Sequence, residues 1–227
     1  MDNQRHIIFI HMEKTGGTSI ARAIWGHEKP LSDDKSYDNG LTKHYSADKA
    51  RACCNAYRWQ HNLRFTVVRN PWDRLVSKWW WRHNGILKKG EKPLPEMLRL
   101  TPEGKIPAQW FIDEFEEERR RWNLHTDTPT DEFLFGLTNE GGMSCGTGEE
   151  PCVHEVLRFE SLQQDWGKLI DKYPVKFKGC KRELPHCNKT DNRDWDYRVY
   201  YTAETVELVA ASCPKIIQYF NYTFSDD

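Results

Sequence analysis

The sequence predicts an α/β fold in which a mostly parallel sheet is flanked by helices. Three observations predict it. Short β-branched runs at His6–His11 (HIIFIH), Leu63–Val68 and Val153–Phe159 read as strands, the first buried on both faces. Helical periodicities separate them. Glycine, or an Asn-Pro pair, stands where strand passes into helix. With 227 residues, 13% aromatics and ten Trp, the chain has the means to bury a core, and we expect one domain over 1–227.

The elements follow in order. After the first strand come Gly16-Gly17 and a helical pattern through Ser19, Ile20, Ala23 and Ile24. Residues 26–41 are polar, with Pro30 and Gly40, and read as loop; Ser46–Tyr57 reads as one helix. The second strand ends at Val68. Asn70 then offers an N-cap, Pro71 suits the first helical position, and Asp73 complements the helix dipole in the first turn. That helix runs to about His83, and the Lys-, Gly- and Pro-rich residues 85–107 read as a surface excursion. Ala108–Trp122 is a charged helix with Phe111, Ile112 and Phe115 as its buried stripe. A short helix at Thr130–Leu137, a loop at Asn139–Pro151, a helix at Glu160–Lys172, an irregular stretch at Gly179–Asp196 and a final helix at Thr202–Tyr219 complete the chain.

Charge narrows the function classes. Lys+Arg total 33 against 34 Asp+Glu, a formal net charge of −1, which disfavours a protein that coats nucleic acid. The sequence has no apolar run of the ~20 residues that span a bilayer and no recognisable leader, so the chain as written reads as cytoplasmic; a trimmed piece of a secretory protein, resident in the Golgi lumen, would read alike. The seven Cys leave three readings open: reduced thiols, local disulfides within Cys145/Cys152 and Cys180/Cys187, or zinc ligands with His154 and His186.

The chemistry concentrates at His11-Met12-Glu13-Lys14-Thr15-Gly16-Gly17-Thr18-Ser19, where a buried strand turns into a helix. The glycines let a ligand approach the backbone, and the helix start offers N–H groups and a positive dipole end. Lys14 adds a full charge, and Thr15, Thr18 and Ser19 add hydroxyls. The set suits a phosphate-like oxyanion. It is not the nucleotide loop in which Lys follows the last glycine and precedes a magnesium-binding hydroxyl. A second cluster, Arg69-Asn70-Pro71-Trp72-Asp73-Arg74-Leu75-Val76-Ser77, begins at the carboxyl end of the second strand, the ligand edge of parallel sheets. Arg69 and Ser77 can therefore share an anion with Lys14. Between residues 64 and 92 eight Lys/Arg face two acids, an imbalance that an anionic ligand would absorb. Of Trp79-Trp80-Trp81, successive helical positions diverge too far for all three to be core; core plus a lid contact is the favoured reading, with one or two of them stacking on a sugar or another flat acceptor as the alternative.

These segments together resemble the sulfotransferases that use 3′-phosphoadenosine-5′-phosphosulfate (PAPS), most of all the carbohydrate branch with the heparan 2-O and chondroitin-type enzymes. The first signature of that family reads like His-Ile-Pro-Lys-Thr-Gly-Gly-Thr-Ser, and Glu13 stands here in place of the proline. The second, Arg-Asn-Pro-x-x-Arg-x-x-Ser, is complete as Arg69 to Ser77. Leu157-Arg158-Phe159-Glu160-Ser161-Leu162 and Leu184-Pro185-His186-Cys187-Asn188-Lys189-Thr190 resemble two further family segments. The resemblance implies the P-loop-NTPase-like sulfotransferase fold and transfer of a sulfuryl group to a carbohydrate or small-molecule acceptor, with adenosine 3′,5′-bisphosphate (PAP) as product and no metal. It implies that Lys14 and Thr15, Gly16, Gly17, Thr18 and Ser19 hold the 5′-phosphosulfate, that Arg69 and Ser77 hold the 3′-phosphate, and that Lys189 and Thr190 close over the donor. It also places a catalytic His between the first turn and the second strand, where His44 lies; His titrates near neutrality, as a general base should. His11, Glu13 and His186 are the reserve candidates. A kinase or NTPase on a related fold and a non-catalytic nucleotide-binding protein are the rival readings.

Overall fold

The computed structural model describes residues 6–26, 44, 46–54, 56–84, 100–122, 130–136, 149–187 and 196–225. Three parallel strands lie side by side: β1 (Ile7–Ile10), β2 (Leu63–Val68) and β3 (Glu155–Arg158). β2 is central, pairing Ile7 with Leu63 on one side and Phe65 with Glu155 on the other. Alternating side chains feed two cores. Ile7, Phe9, Phe65, Val67 and Leu157 pack on one face against Ile20 and Ile24 of α1 (Gly17–Trp25) and Trp166 and Leu169 of α7 (Leu162–Lys172). Ile8, Ile10 and Val68 pack on the other, against α4 (Pro71–Asn84), α5 (Ala108–Trp122), α8 (Ala203–Ser212) and α9 (Pro214–Phe220). Helices on both faces bury the all-apolar β1 from both sides, as the sequence predicts.

Boundaries agree where capping signals are strong. Asn70 Oδ1 accepts from the Trp72 and Asp73 amides at 3.1 and 3.5 Å, opening α4 at Pro71. Thr202 caps α8 in a reciprocal box with Thr205. Two expected helices are each a pair. Ser46–Tyr57 divides into α2 (Ala47–Cys53) and α3 (Ala56–His61), because Cys54 takes an extended conformation. Thr202–Tyr219 divides at Cys213, since Pro214 lacks the N–H that a continuous helix requires and instead opens α9. The helix α6 (Thr130–Phe135) stops two residues short of the predicted end.

Two packing expectations change, and one open reading is decided. Ile112 is only half-buried, and the inward stripe of α5 is Phe111, Glu114 and Phe115. The excursion's last residues are anchored: Ile106 is buried and its amide donates to the Tyr200 carbonyl at 2.9 Å. Cys180 and Cys187 are not joined in a disulfide; Cys187 Sγ accepts from Arg22 at 3.0 Å. Cys152 is disulfide-bonded. His154 Nδ1 accepts from the Arg64 amide at 3.0 Å, which spends it on the β2–β3 edge rather than on a metal. No described helix is long and apolar enough to cross a membrane.

Candidate active site

The carboxyl ends of all three strands open into one cleft of about 790 Å³. β1 delivers His11, Glu13 and Lys14; β2 delivers Arg69; β3 delivers Phe159 and Glu160. This is the edge at which parallel sheets gather ligands, and a volume in the range of small-molecule sites.

The turn after β1 is held open by its own stereochemistry. Lys14 and Gly16 have φ of 63° and 79°, in the left-handed region. A side chain on Gly16 would come within 2.9 Å of Leu162 Cδ2, and one on Gly17 within 2.1 Å of the His11 ring. Only glycine fits this cradle, and Gly17 and Thr18, the first residues of α1 at the positive end of its dipole, line the cleft. Thr18 and Ser19 line it too. Thr15 does not: its side chain is fully buried and its hydroxyl donates to the Met12 carbonyl at 2.9 Å, stapling the turn instead of offering a ligand contact.

Lys14 and Arg69 meet across the loop. The Arg69 Nη1 donates to the Lys14 carbonyl at 2.8 Å, while Nε and Nη2 hold Asp73 Oδ2 at 2.6 Å each. The guanidinium lies 3.9 Å from the centre of the Phe159 ring. Arg69 thus sets the position of the Lys14 backbone, and one α4 turn beyond Asp73, Ser77 reaches the same cleft. The Lys14 ammonium sits 5.4 Å from the centre of the Trp81 ring. Trp79 and Trp80 are core at 1% and 3% exposure, whereas Trp81 is 59% exposed at the cleft mouth, dividing the triplet as its helical positions require.

His44 lines the cleft as well. Its Nδ1 lies 3.0 Å from the His11 carbonyl, and its ring centre 4.5 Å from that of His11. Since a carbonyl only accepts, Nδ1 carries the hydrogen and the Nε2 lone pair is left to act as a base. Nε2 faces Glu13 Oε1 at 3.9 Å. Burial works to raise the Glu13 pKa, but Lys78, His44 and Arg74 outweigh it and hold the carboxyl below its ordinary value. Glu13 is therefore ionised near neutrality and ill-suited to be the base itself. His186 lines the cleft's other wall; Lys189 and Thr190 lie outside the described residues.

The basic segment behaves differently from its sequence reading. Arg64 stacks on Trp59 at 4.6 Å and donates to the Trp59 and Cys152 carbonyls. Buried Lys78 pairs with Glu114 at 2.6 Å, and Arg82 pairs with Glu114 and Glu117. Of the segment's described cations, Arg69 is the one lining the cleft, while Lys78 and Arg82 are answered by acids of α5. Sequence reasoning missed Phe159, Leu162 and Glu160. The last caps α4 through the Asn70 amide at 2.6 Å and accepts from the Tyr222 hydroxyl at 3.2 Å. Their signal was present in the Leu157–Leu162 segment, which was recognised without roles for its residues.

The family model described as "Sulfotransferase family" matches residues 1–102, which include the His11–Ser19 turn, His44 and the Arg69–Ser77 cluster. No match was found among curated proteins or among solved structures.

Proposed function

We propose that this chain, which matches the sulfotransferase family model over residues 1–102, moves a sulfuryl group from PAPS to an acceptor hydroxyl or amine, with Lys14 and His44 as the groups that carry the reaction. The observation behind this reading is the convergence of three parallel strand ends on one cleft that holds the Gly16-Gly17 cradle, Lys14 and Arg69 together. Two separate cationic stations, one at a helix start and one at a strand end, suit a nucleotide with two anionic groups. The cradle that a single Cβ would fill suits close backbone approach by the 5′ end, and Arg69 with Ser77 suits the 3′-phosphate.

The chemistry then falls to this chain's side chains. His44 Nε2 takes the acceptor proton as the acceptor oxygen bonds to sulfur. The sulfur–oxygen bond to the 5′-phosphate breaks, and its electron pair stays on the bridging oxygen, where Lys14 and the Gly17 and Thr18 amides meet the growing charge. The His11 carbonyl fixes the tautomer that makes Nε2 the base. The exposed Trp81 ring beside Lys14 offers a flat apolar surface for one face of a sugar, which supports a carbohydrate over a featureless small alcohol. The disulfide at Cys152 supports the oxidising compartment of the two considered, the Golgi lumen.

The test has two arms. PAP without magnesium is expected to raise the melting temperature; stabilisation by ATP alone, and only with magnesium, would assign the cleft to a kinase or NTPase. Labelled-sulfate transfer from PAPS to a panel of glycans and small alcohols is expected to find an acceptor. His44→Ala is expected to slow that transfer about 100-fold or more while leaving PAP binding intact. PAP binding with no transfer to any acceptor would leave a non-catalytic binding protein.

A further inference from the structure

Glu13 stands where the first signature has proline, and the structure surrounds it with partners. Its Oε2 lies 3.4 Å from Lys78 Nζ, and its Oε1 lies 3.9 Å from His44 Nε2. Lys78 is in turn held by the buried Glu114 at 2.6 Å, and Arg82 holds Glu114 at 3.0 Å. Charges of alternating sign thus run from α5 through α4 into the cleft and end at the His44 ring. Proline offers no carboxylate and would end the run at Lys78.

We propose that Glu13 is a positioning residue: it orients the His44 imidazole and stabilises the imidazolium formed when the acceptor proton arrives. This rests on the reading of His44 as the base. When the acceptor O–H bond breaks, the new Nε2–H bears the positive charge on the ring edge that faces Glu13. The carboxylate is already ionised and already fixed by Lys78, so it need not reorganise as that charge appears. The groups facing it keep it anionic: Lys78 and Arg74 from α4, with Arg82 further along the same helix, and His44. Glu114, the acid across from them on α5, is paired with Lys78 and Arg82. His44 helps to hold Glu13 ionised, so by reciprocity ionised Glu13 favours the protonated form of His44.

The decisive measurement is an NMR pH titration of the His44 ring, assigned by its loss in His44→Gln, in the wild-type chain and in Glu13→Gln. In Glu13→Gln the His44 midpoint is expected to move to lower pH, and Glu13→Asp is expected to restore part of the shift. An unmoved or raised midpoint in a folded Glu13→Gln chain overturns the proposal, and Glu13→Ala, which also removes the carboxylate, decides in the same way if Glu13→Gln fails to fold. Calorimetry with PAP separates this outcome from the wider reading: a wild-type chain that does not bind PAP sinks the proposed function, whatever the histidine does. Where transfer is measurable, the acid limb of the pH–rate profile is expected to follow the His44 midpoint to lower pH, whereas a fall in rate with an unmoved limb would mark Glu13 as merely structural.

Discussion

The two walls of the cleft are built on different principles. On the wall made by the ends of β1 and β2, polar groups are tied down by the chain itself: Arg69 by Asp73 and the Lys14 carbonyl, His44 by the His11 carbonyl, Glu13 by Lys78. The opposite wall, from the end of β3, α7 and residues 183–187, offers Phe159, Leu162, Leu184 and Pro185. Its Gln163 is spent closing the loop onto α7, donating to the Arg182 carbonyl and accepting from the Leu184 amide. One wall is a preorganised electrostatic surface; the other sets an apolar patch of Phe159, Leu162, Leu184 and Pro185 among polar side chains such as Glu160, Glu183 and His186. In the proposed reaction the first has to respond to charge as it moves, and the second only has to hold the nucleoside. Substitutions at the reacting groups of the first, Lys14 and His44, should therefore act on turnover, whereas Arg69 at its nucleotide end and the side chains of the second should act on affinity.

The largest effect is expected at Lys14. Lys14→Ala keeps the left-handed backbone strain and removes only the ammonium, so kcat should fall by about 10²- to 10³-fold, the usual consequence of losing one preorganised charge at a developing anion. Single-turnover rates at saturating PAPS check it. Near-normal turnover would erase the distinction between the walls.

Arg69→Lys comes next. It retains the charge but loses the fork that holds Asp73 and the Lys14 carbonyl together, and lysine does not replace arginine at such a site. PAP affinity, read by calorimetry, should fall about 10- to 100-fold, with some loss of melting temperature. Unchanged affinity would mean that Arg69 serves the loop alone and not a ligand.

The contrast between the walls also tracks what was legible in the sequence. β1, β2, the turn between β1 and α1 and the start of α4 were readable because each is spelled by contiguous residues: an apolar run, a glycine pair, an Asn-Pro cap. Groups that depend on distant partners were not. Lys78 looked like part of a ligand-seeking basic segment, yet its partner is Glu114, which lies 36 residues further along the chain and on another helix. Periodicity assigns faces; it does not say what stands opposite. For the same reason Ile112, and not Glu114, was placed in the α5 stripe, and the equal spacing within Cys180/Cys187 gave no guide to whether those thiols meet. The break at Pro214 was readable and was outweighed by an apolar pattern that runs through it. Glu13, a mismatch to a signature in one dimension, becomes the end of an ion-pair run in three.

The smallest effect, and the one that sharpens the comparison most, is expected on the apolar wall. Leu162 opens α7 and reaches toward Gly16, where its Cδ2 would lie 2.9 Å from an added Cβ; its methyls thus line the cleft beside the glycine cradle. Leu162→Ala widens that gap and removes half-buried methyl groups without touching a charge. PAP affinity should weaken about 5-fold, in line with the loss of about 1 kcal/mol of apolar contact, while kcat at saturating PAPS stays at the wild-type value. A fall in kcat as large as that of Lys14→Ala would mean that the apolar wall also holds the reacting end of the donor, because a group that only packs against a bound nucleoside contributes equally before and at the transition state.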